Sequence, residues 1–228
     1  MNVTASIHRT RWLSTLHAAP TQDPRAWAEA LTPGSDAVPI VNLTRDVRDE
    51  AGLRAGLERM RAGGATPLAQ VSLGYATRPV ADVVSEIAHW ASYPFAGVFF
   101  DHAPSGPYQV GPVVAAVRAA ERHGLGWQVL NAGVPVDPAY RLLDVTVCTF
   151  EGSWSDYLLW PAEECRPGDG HLVFDVPASQ LVVARELIEA RAAGVALVSA
   201  RATAYPSQRR SHDPNPSALW TAGAAGRG

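Results

Sequence analysis

The chain has 228 residues, 47% of them apolar, with a net charge of −3 and a pI of about 6.1. That length suits one domain with a full core, and the acidic balance offers no basic surface for nucleic acid. All 19 cationic residues are arginine, which excludes a Schiff-base lysine, a P-loop lysine and a lysine-anchored pyridoxal phosphate.

The N-terminal stretch Met1 to Leu16 contains His8, Arg9 and Arg11 and no apolar core of a signal peptide, so a cytoplasmic protein is expected. Trp12–His17 and Val38–Leu43 read as the first two strands, with Asp23-Pro24 opening a helix over Arg25–Leu31 between them. Asp49–Ala62 is amphipathic and stops at Gly63-Gly64. Leu68–Tyr75 is the third strand. Pro79–Ala91 follows as a helix with Val80, Val83, Val84, Ile87 and Trp90 on one face. Gly97–Asp101, Trp127–Asn131, Val145–Glu151, His171–Val176 and Val195–Ser199 complete eight strands. Helices are expected at Pro112–Arg122 and Pro177–Ala193, with only short helical connections at Pro138–Leu143 and Ser155–Trp160. No run approaches the roughly 20 apolar residues of a membrane helix. Cys148 and Cys165 form no metal-ligand spacing, and Cys148 reads as a small core residue.

Eight strands alternating with helices favour an α/β fold, a single-domain TIM-like (β/α)8 barrel, over an open doubly wound sheet. The dinucleotide reading lacks its glycine fingerprint, because the first strand is followed by His17-Ala18-Ala19-Pro20. The barrel domain is expected over residues 1–220, with a polar, proline-bearing segment after Ser199 along the rim and a disordered tail at 221–228. Barrel enzymes keep their chemistry at the C-terminal ends of strands. Those ends read His17, Asn42, Tyr75, Asp101-His102, Asn131, Glu151, Asp175 and Arg201. Asp101 and Glu151 each close an apolar run on a carboxylate, the layout of an acid–base pair.

Several of these segments together resemble spherulation-specific family 4 (spherulin 4-like) proteins. Gly74-Tyr75 with Thr77-Arg78-Pro79 carries the likeness, as do Gly97–Asp101 and Leu130-Asn131-Ala132-Gly133 with Pro135 and Tyr140. The longest matching run is Thr149-Phe150-Glu151-Gly152-Ser153-Trp154-Ser155-Asp156-Tyr157. Ile40-Val41-Asn42 fits the family's second strand and His171 the start of its seventh, so the likeness extends over roughly Trp12 to Ser199. The resemblance implies a TIM-like barrel related to glycoside hydrolases that cut galactosamine-containing polysaccharides, with a carboxylate-lined groove. The chain departs from the family twice. Asp101-His102 stands where the family has Asp-Glu, and Ser199-Ala200-Arg201 stands where an acidic strand end is usual. Family members are usually secreted.

Asp101, Glu151 and His102 are therefore the catalytic candidates, His102 replacing a carboxylate with a group that titrates near neutral pH. His17, Asn42, Tyr75 and Asn131 are candidates for a hydrogen-bonding ring around substrate. Trp154 and Tyr157 are candidates for stacking on a sugar, although their neighbours Leu158, Leu159 and Trp160 also suit core packing. Arg201 is a candidate clamp for an anionic group or a rim salt bridge. No cofactor fingerprint and no metal-ligand motif is present, so neither a cofactor nor a metal is expected. Three functions stay open: a glycoside hydrolase acting on an amino sugar or other glycoside, a repurposed enzyme moving protons on a small molecule (isomerase, lyase or cyclase), and a non-catalytic sugar binder.

Overall fold

A computed structural model describes residues 9–31, 37–191 and 193–200. Eight strands close into a parallel barrel in chain order. They are β1 (Arg11–Leu16), β2 (Ala37–Val41), β3 (Leu68–Ser72), β4 (Gly97–Asp101), β5 (Trp127–Asn131), β6 (Thr146–Ser153), β7 (Gly170–Phe174) and β8 (Val195–Val198). Barrel closure is completed by β8 pairing with β1. The expected fold class is the one observed.

Alternate strand residues face the barrel axis. Leu13, Val38, Ile40, Leu68, Phe99, Val129, Cys148, Leu172, Val195 and Leu197 form one buried cluster that fills the interior. Residues of opposite parity pack outward. Val41, Ala69, Val71, Val98, Phe100, Leu130 and Val147 join a larger cluster with the surrounding helices. Each fully buried Leu, Ile or Phe there stabilises the fold by about 1.5–3 kcal/mol.

Six α-helices lie among the described residues: α1 (Pro24–Ala30), α2 (Glu50–Ala62), α3 (Val80–Trp90), α4 (Val110–Arg122), α5 (Trp154–Leu159) and α6 (Leu181–Ala190). Their starts follow from local chemistry. Asp23 and Asp49 cap α1 and α2 by accepting the amides of Ala26 and Gly52. Leu53, Leu57 and Met60 of α2, spaced four and three apart, are fully buried. No α-helix joins β5 to β6; a 3-10 turn at Pro138–Leu142 does so instead. The two connections expected to be short are short. No helix of the described residues is long and apolar enough to cross a membrane.

Several boundaries differ from expectation, among them those at β3, α6 and β6. β3 ends at Ser72, because Gly74, Tyr75 and Ala76 all take left-handed backbone angles in a 3-10 turn. Tyr75 is thus a turn residue and Ser72 the strand end. The helix expected over Pro177–Ala193 is a 3-10 turn at Ala178–Gln180 followed by α6, which ends at Ala190. β6 continues past Glu151 to Ser153, and its register against β7 shifts between Cys148 and Phe150.

Behind β6 and β7 the outer layer is aromatic. Phe150, Trp154 and Tyr157 pack with Val173, Ala184 and Ile188. The Tyr157 hydroxyl lies 2.9 Å from His171 Nδ1, and His171 is fully buried with no hydrogen-bond partner at Nε2. Burial pushes the His171 imidazole down to about 4, with Arg191 adding to the shift and Asp169 opposing it. The unfolded histidine titrates near 6.5. As pH falls through that window, the unfolded chain gains a proton that the folded chain refuses. Stability therefore declines between about pH 6.5 and about pH 4, by about 3 kcal/mol in total. Urea unfolding across this range should show that slope in the wild type and a flatter one in His171→Gln. Equal slopes in the two proteins would remove His171 as the cause.

Candidate active site

Parity decides which polar groups reach the C-terminal mouth. Asp101 is two residues beyond Phe99, and Asn131 two beyond Val129, so both continue inward-facing rows. Ser72, in register with Asp101, and Gln70, in register with Phe99, face the same way on β3. Glu151 lies three residues beyond inward-facing Cys148, and strict alternation would turn it toward the helices. The register shift corrects this: Cys148 pairs with Gly170, Phe150 with His171 and Glu151 with Leu172. A one-residue bulge at Thr149 thus turns Phe150 outward and Glu151 inward.

The bulge is pinned from below. Asp169 Oδ2 accepts the Thr149 hydroxyl at 2.9 Å and Arg141 at 2.8 Å, and Asp169 Oδ1 accepts the other guanidinium nitrogen. Asp169 and Thr149 are both buried. Gly170 has no room for a side chain, since a Cβ would fall 2.3 Å from Cys148 Sγ. From the other side, Gly133 sits at φ +64, where a Cβ would lie 2.9 Å from that of Glu151.

At the mouth one side chain joins the two carboxylates. Asn131 Nδ2 donates to Asp101 Oδ1 and to Glu151 Oε2, each at 3.0 Å. Those two oxygens can therefore lie no farther apart than twice that distance. Asp101, 9% exposed, also accepts Gln70 Nε2 at 2.9 Å on Oδ2 and the His102 amide at 2.9 Å on Oδ1. Three N–H donors leave one of its roughly four lone-pair sites for a ligand, and they suit an ionised, acceptor-only group. Beneath the pair, burial pushes the Cys148 thiol well up, with Glu151, Asp169 and Asp101 adding to the shift, so it is an inert floor residue.

His102 follows Asp101 with φ +51. Its Nδ1 lies 2.9 Å from Ser72 Oγ and 3.7 Å from Asp101 Oδ2. The Tyr75 ring sits 5.4 Å from the imidazole, and Tyr75 is 53% exposed.

The structure thus brings Asp101, His102, Asn131, Glu151 and Tyr75 together. His17 and Asn42, each one residue past its strand, line a cleft of about 680 Å³ with Gln22, Thr44, Asp46 and Arg48, and none of those first five residues lines it. Trp154 and Tyr157 are placed elsewhere. Trp154 is buried with its indole N–H on Gln180, and Tyr157 is fully buried against His171, so both belong to the outer aromatic layer rather than the mouth. Arg201 and the tail at 221–228 lie outside the described residues. Asp175, one residue past β7, takes φ +55. Among the described residues no group of three or more His, Cys, Asp or Glu is placed to hold a metal. Gln70 and Ser72 are site residues that the strand-end reading missed, and Gly74, two residues after Ser72, was the signal that β3 stops early.

The profile of spherulation-specific family 4 matches residues 44–209. The fold is similar to that in the crystal structure of Aspergillus clavatus Sph3 in complex with GalNAc. The TM-score is 0.69 at 20% identity, with 86% of this chain and 91% of that chain covered. No curated protein matches the sequence.

Replacing Asn131 with leucine keeps its size and removes the shared donor from two carboxylates. Hydrogen bonds contribute about 0.5–1.5 kcal/mol each and more to a charged partner, so losing this pair costs about 1–3 kcal/mol. Chemical denaturation of Asn131→Leu at pH 7 should show a loss of that size; a loss under about 0.5 kcal/mol would mean the bridge carries little energy.

Proposed function

The chain belongs to spherulation-specific family 4, and from that membership and the paired carboxylates we propose a glycoside hydrolase-like enzyme acting on an amino-sugar glycoside. The observation that carries the reading is the single amide nitrogen of Asn131 on both acids. Twice 3.0 Å is an upper bound on the separation of the bridged oxygens. That bound favours the carboxyl spacing of about 5–5.5 Å used for retention over the 6.5–9.5 Å that leaves room for water in inverting enzymes.

In this reading Asp101, held by three N–H donors, is the ionised nucleophile. Glu151, half-buried, is the general acid that protonates the leaving glycosidic oxygen. Asp101 bonds to the anomeric carbon as that C–O bond breaks. Glu151, now ionised, takes a proton from water as the water displaces Asp101 and restores both groups. His102 supplies a further proton carrier where the family has Glu. Tyr75 and the cleft at His17, Asn42 and Arg48 supply contacts for the rest of the glycan, and a volume of about 680 Å³ falls within the usual range for ligand sites. The GalNAc bound to Sph3 supports beginning with galactosamine-containing substrates.

A second reading draws on the His102 departure itself: proton transfer on a small molecule, with His102 and Asp101 as the acid–base pair. One assay separates the two. Wild type, Asp101→Asn and Glu151→Gln are offered galactosamine-containing oligosaccharides, and products are followed by proton NMR. The hydrolase reading predicts cleavage with the anomeric configuration retained and a drop in kcat/KM of about 10³-fold in either variant. Inverted product would overturn the assigned roles. Full activity in either variant would overturn the carboxylate pair. No cleavage by wild type would overturn the hydrolase and leave small-molecule proton transfer.

A further inference from the structure

β3 ends beside β4, where Ser72 and Asp101 are register partners. The same alternation that sends Leu68 into the barrel core brings Ser72 up at the mouth. Its hydroxyl meets two partners: Oγ lies 2.9 Å from His102 Nδ1 and accepts the Gly74 amide at 3.2 Å. That amide is delivered by a left-handed glycine, and a Cβ at Gly74 would fall 2.9 Å from the Arg78 side chain. His102 is left-handed as well, a conformation that costs a non-glycine residue roughly 1–2 kcal/mol. It is held there from two sides. Its carbonyl accepts the Tyr75 amide at 2.7 Å, and its own amide is bound by Asp101. Strain maintained by this many contacts points to a side chain whose direction matters.

We propose that Ser72 is a positioning residue that holds His102 with its proton on Nδ1, so that Nε2 is the atom exchanging a proton with substrate. The role rests on the mouth being an acid–base site, as argued above. A hydroxyl has one proton and two lone pairs. Gly74 N–H takes one lone pair, so the hydroxyl can either donate its proton to Nδ1 or accept Nδ1–H on its other lone pair, and acceptance is the arrangement assigned here. This arrangement serves the imidazolium and the neutral Nδ1–H imidazole alike. Asp101 Oδ2, 3.7 Å from Nδ1, favours a proton on that nitrogen over a lone pair. Arg78 stands behind Ser72, donating to the Ser72 carbonyl while paired with Glu86, so its charge is largely balanced. A proton gained or lost at Nε2 then requires no movement of heavy atoms, as preorganised acid–base groups require. The geometry also excludes a serine nucleophile. Ser72 and Asp101 both lie on the Nδ1 side, whereas a triad places the nucleophile on Nε2 and the acid on Nδ1.

The tautomer is read directly by long-range proton–nitrogen NMR on the full chain with labelled histidine, at a pH where His102 is neutral. The His102→Gln spectrum identifies its signal among the seven histidines. Wild type should show Nδ1 protonated. Ser72→Ala should move His102 toward the Nε2–H form that free neutral histidine prefers, and Ser72→Thr, which keeps the hydroxyl, should restore the wild-type pattern. An Nε2–H signal in the wild type overturns the proposal. So does an unchanged tautomer in folded Ser72→Ala. None of this needs a substrate, so failure of the hydrolase reading leaves a separate result. With a cleaved substrate in hand, Ser72→Ala should lower kcat about 10-fold with KM within about two-fold and move the pH–rate profile. A change confined to KM would contradict the positioning role.

Discussion

The bulge of β6 at Thr149 decides which way Glu151 points. Strand side chains alternate with a period of two, so a shift of one residue sends every later side chain to the opposite face. Cys148 belongs to the barrel interior, Phe150 to the aromatic layer outside, and Glu151 again to the inside. Without the extra residue, Glu151 would be aimed at the helices and Phe150 at the mouth. The Thr149–Asp169–Arg141 group beneath the bulge and the missing side chain at Gly170 hold that choice in place. A buried acid with two strong donors is costly to leave half-paired, which makes this group a rigid support rather than a second site.

Once Glu151 faces inward, the mouth must accommodate two carboxyl groups close together. Asn131 solves this with one amide nitrogen, and Gln70 and the His102 amide add donors on the Asp101 side. The amide orientation follows from this surrounding, because a flipped Asn131 would set its carbonyl oxygen against both carboxylates. Every donor comes from a strand or from the first residue after one, so the constellation rests on the stiffest part of the fold. The elements above it are turns: Gly74–Ala76 carrying Tyr75, and the left-handed step at His102.

Much of this was legible in the sequence, and the omissions have physical causes. Eight apolar runs separated by helical patterns gave the barrel, and runs closing on Asp101, Asn131 and Glu151 gave the three central groups. For Asp101 and Asn131 the alternation itself was sufficient, since Phe99 and Val129 share their parity. For Glu151 alternation alone pointed the wrong way, and only pairing with β7 exposes the bulge. Ser72 and Gln70 were hidden because the strand pattern of the sequence runs on to Tyr75. The backbone turns left-handed at Gly74, and local turn chemistry overrides strand propensity there. Trp154 and Tyr157 sit beside Glu151 in sequence yet on the other side of the strand. Ser153 caps α5 through the Asp156 amide, and that helix folds both rings back over β6 and β7. Adjacency along the chain is a poor guide to adjacency at a strand end.

The most direct test of the account is a crystal structure of Glu151→Gln grown with a galactosamine-containing oligosaccharide. The glutamine keeps the side chain's length while removing its acid. The account predicts a sugar seated across the mouth, its glycosidic oxygen within hydrogen-bond reach of residue 151 and its anomeric carbon facing Asp101. A sugar bound only in the cleft at His17 and Asn42, or none at all, would contradict it.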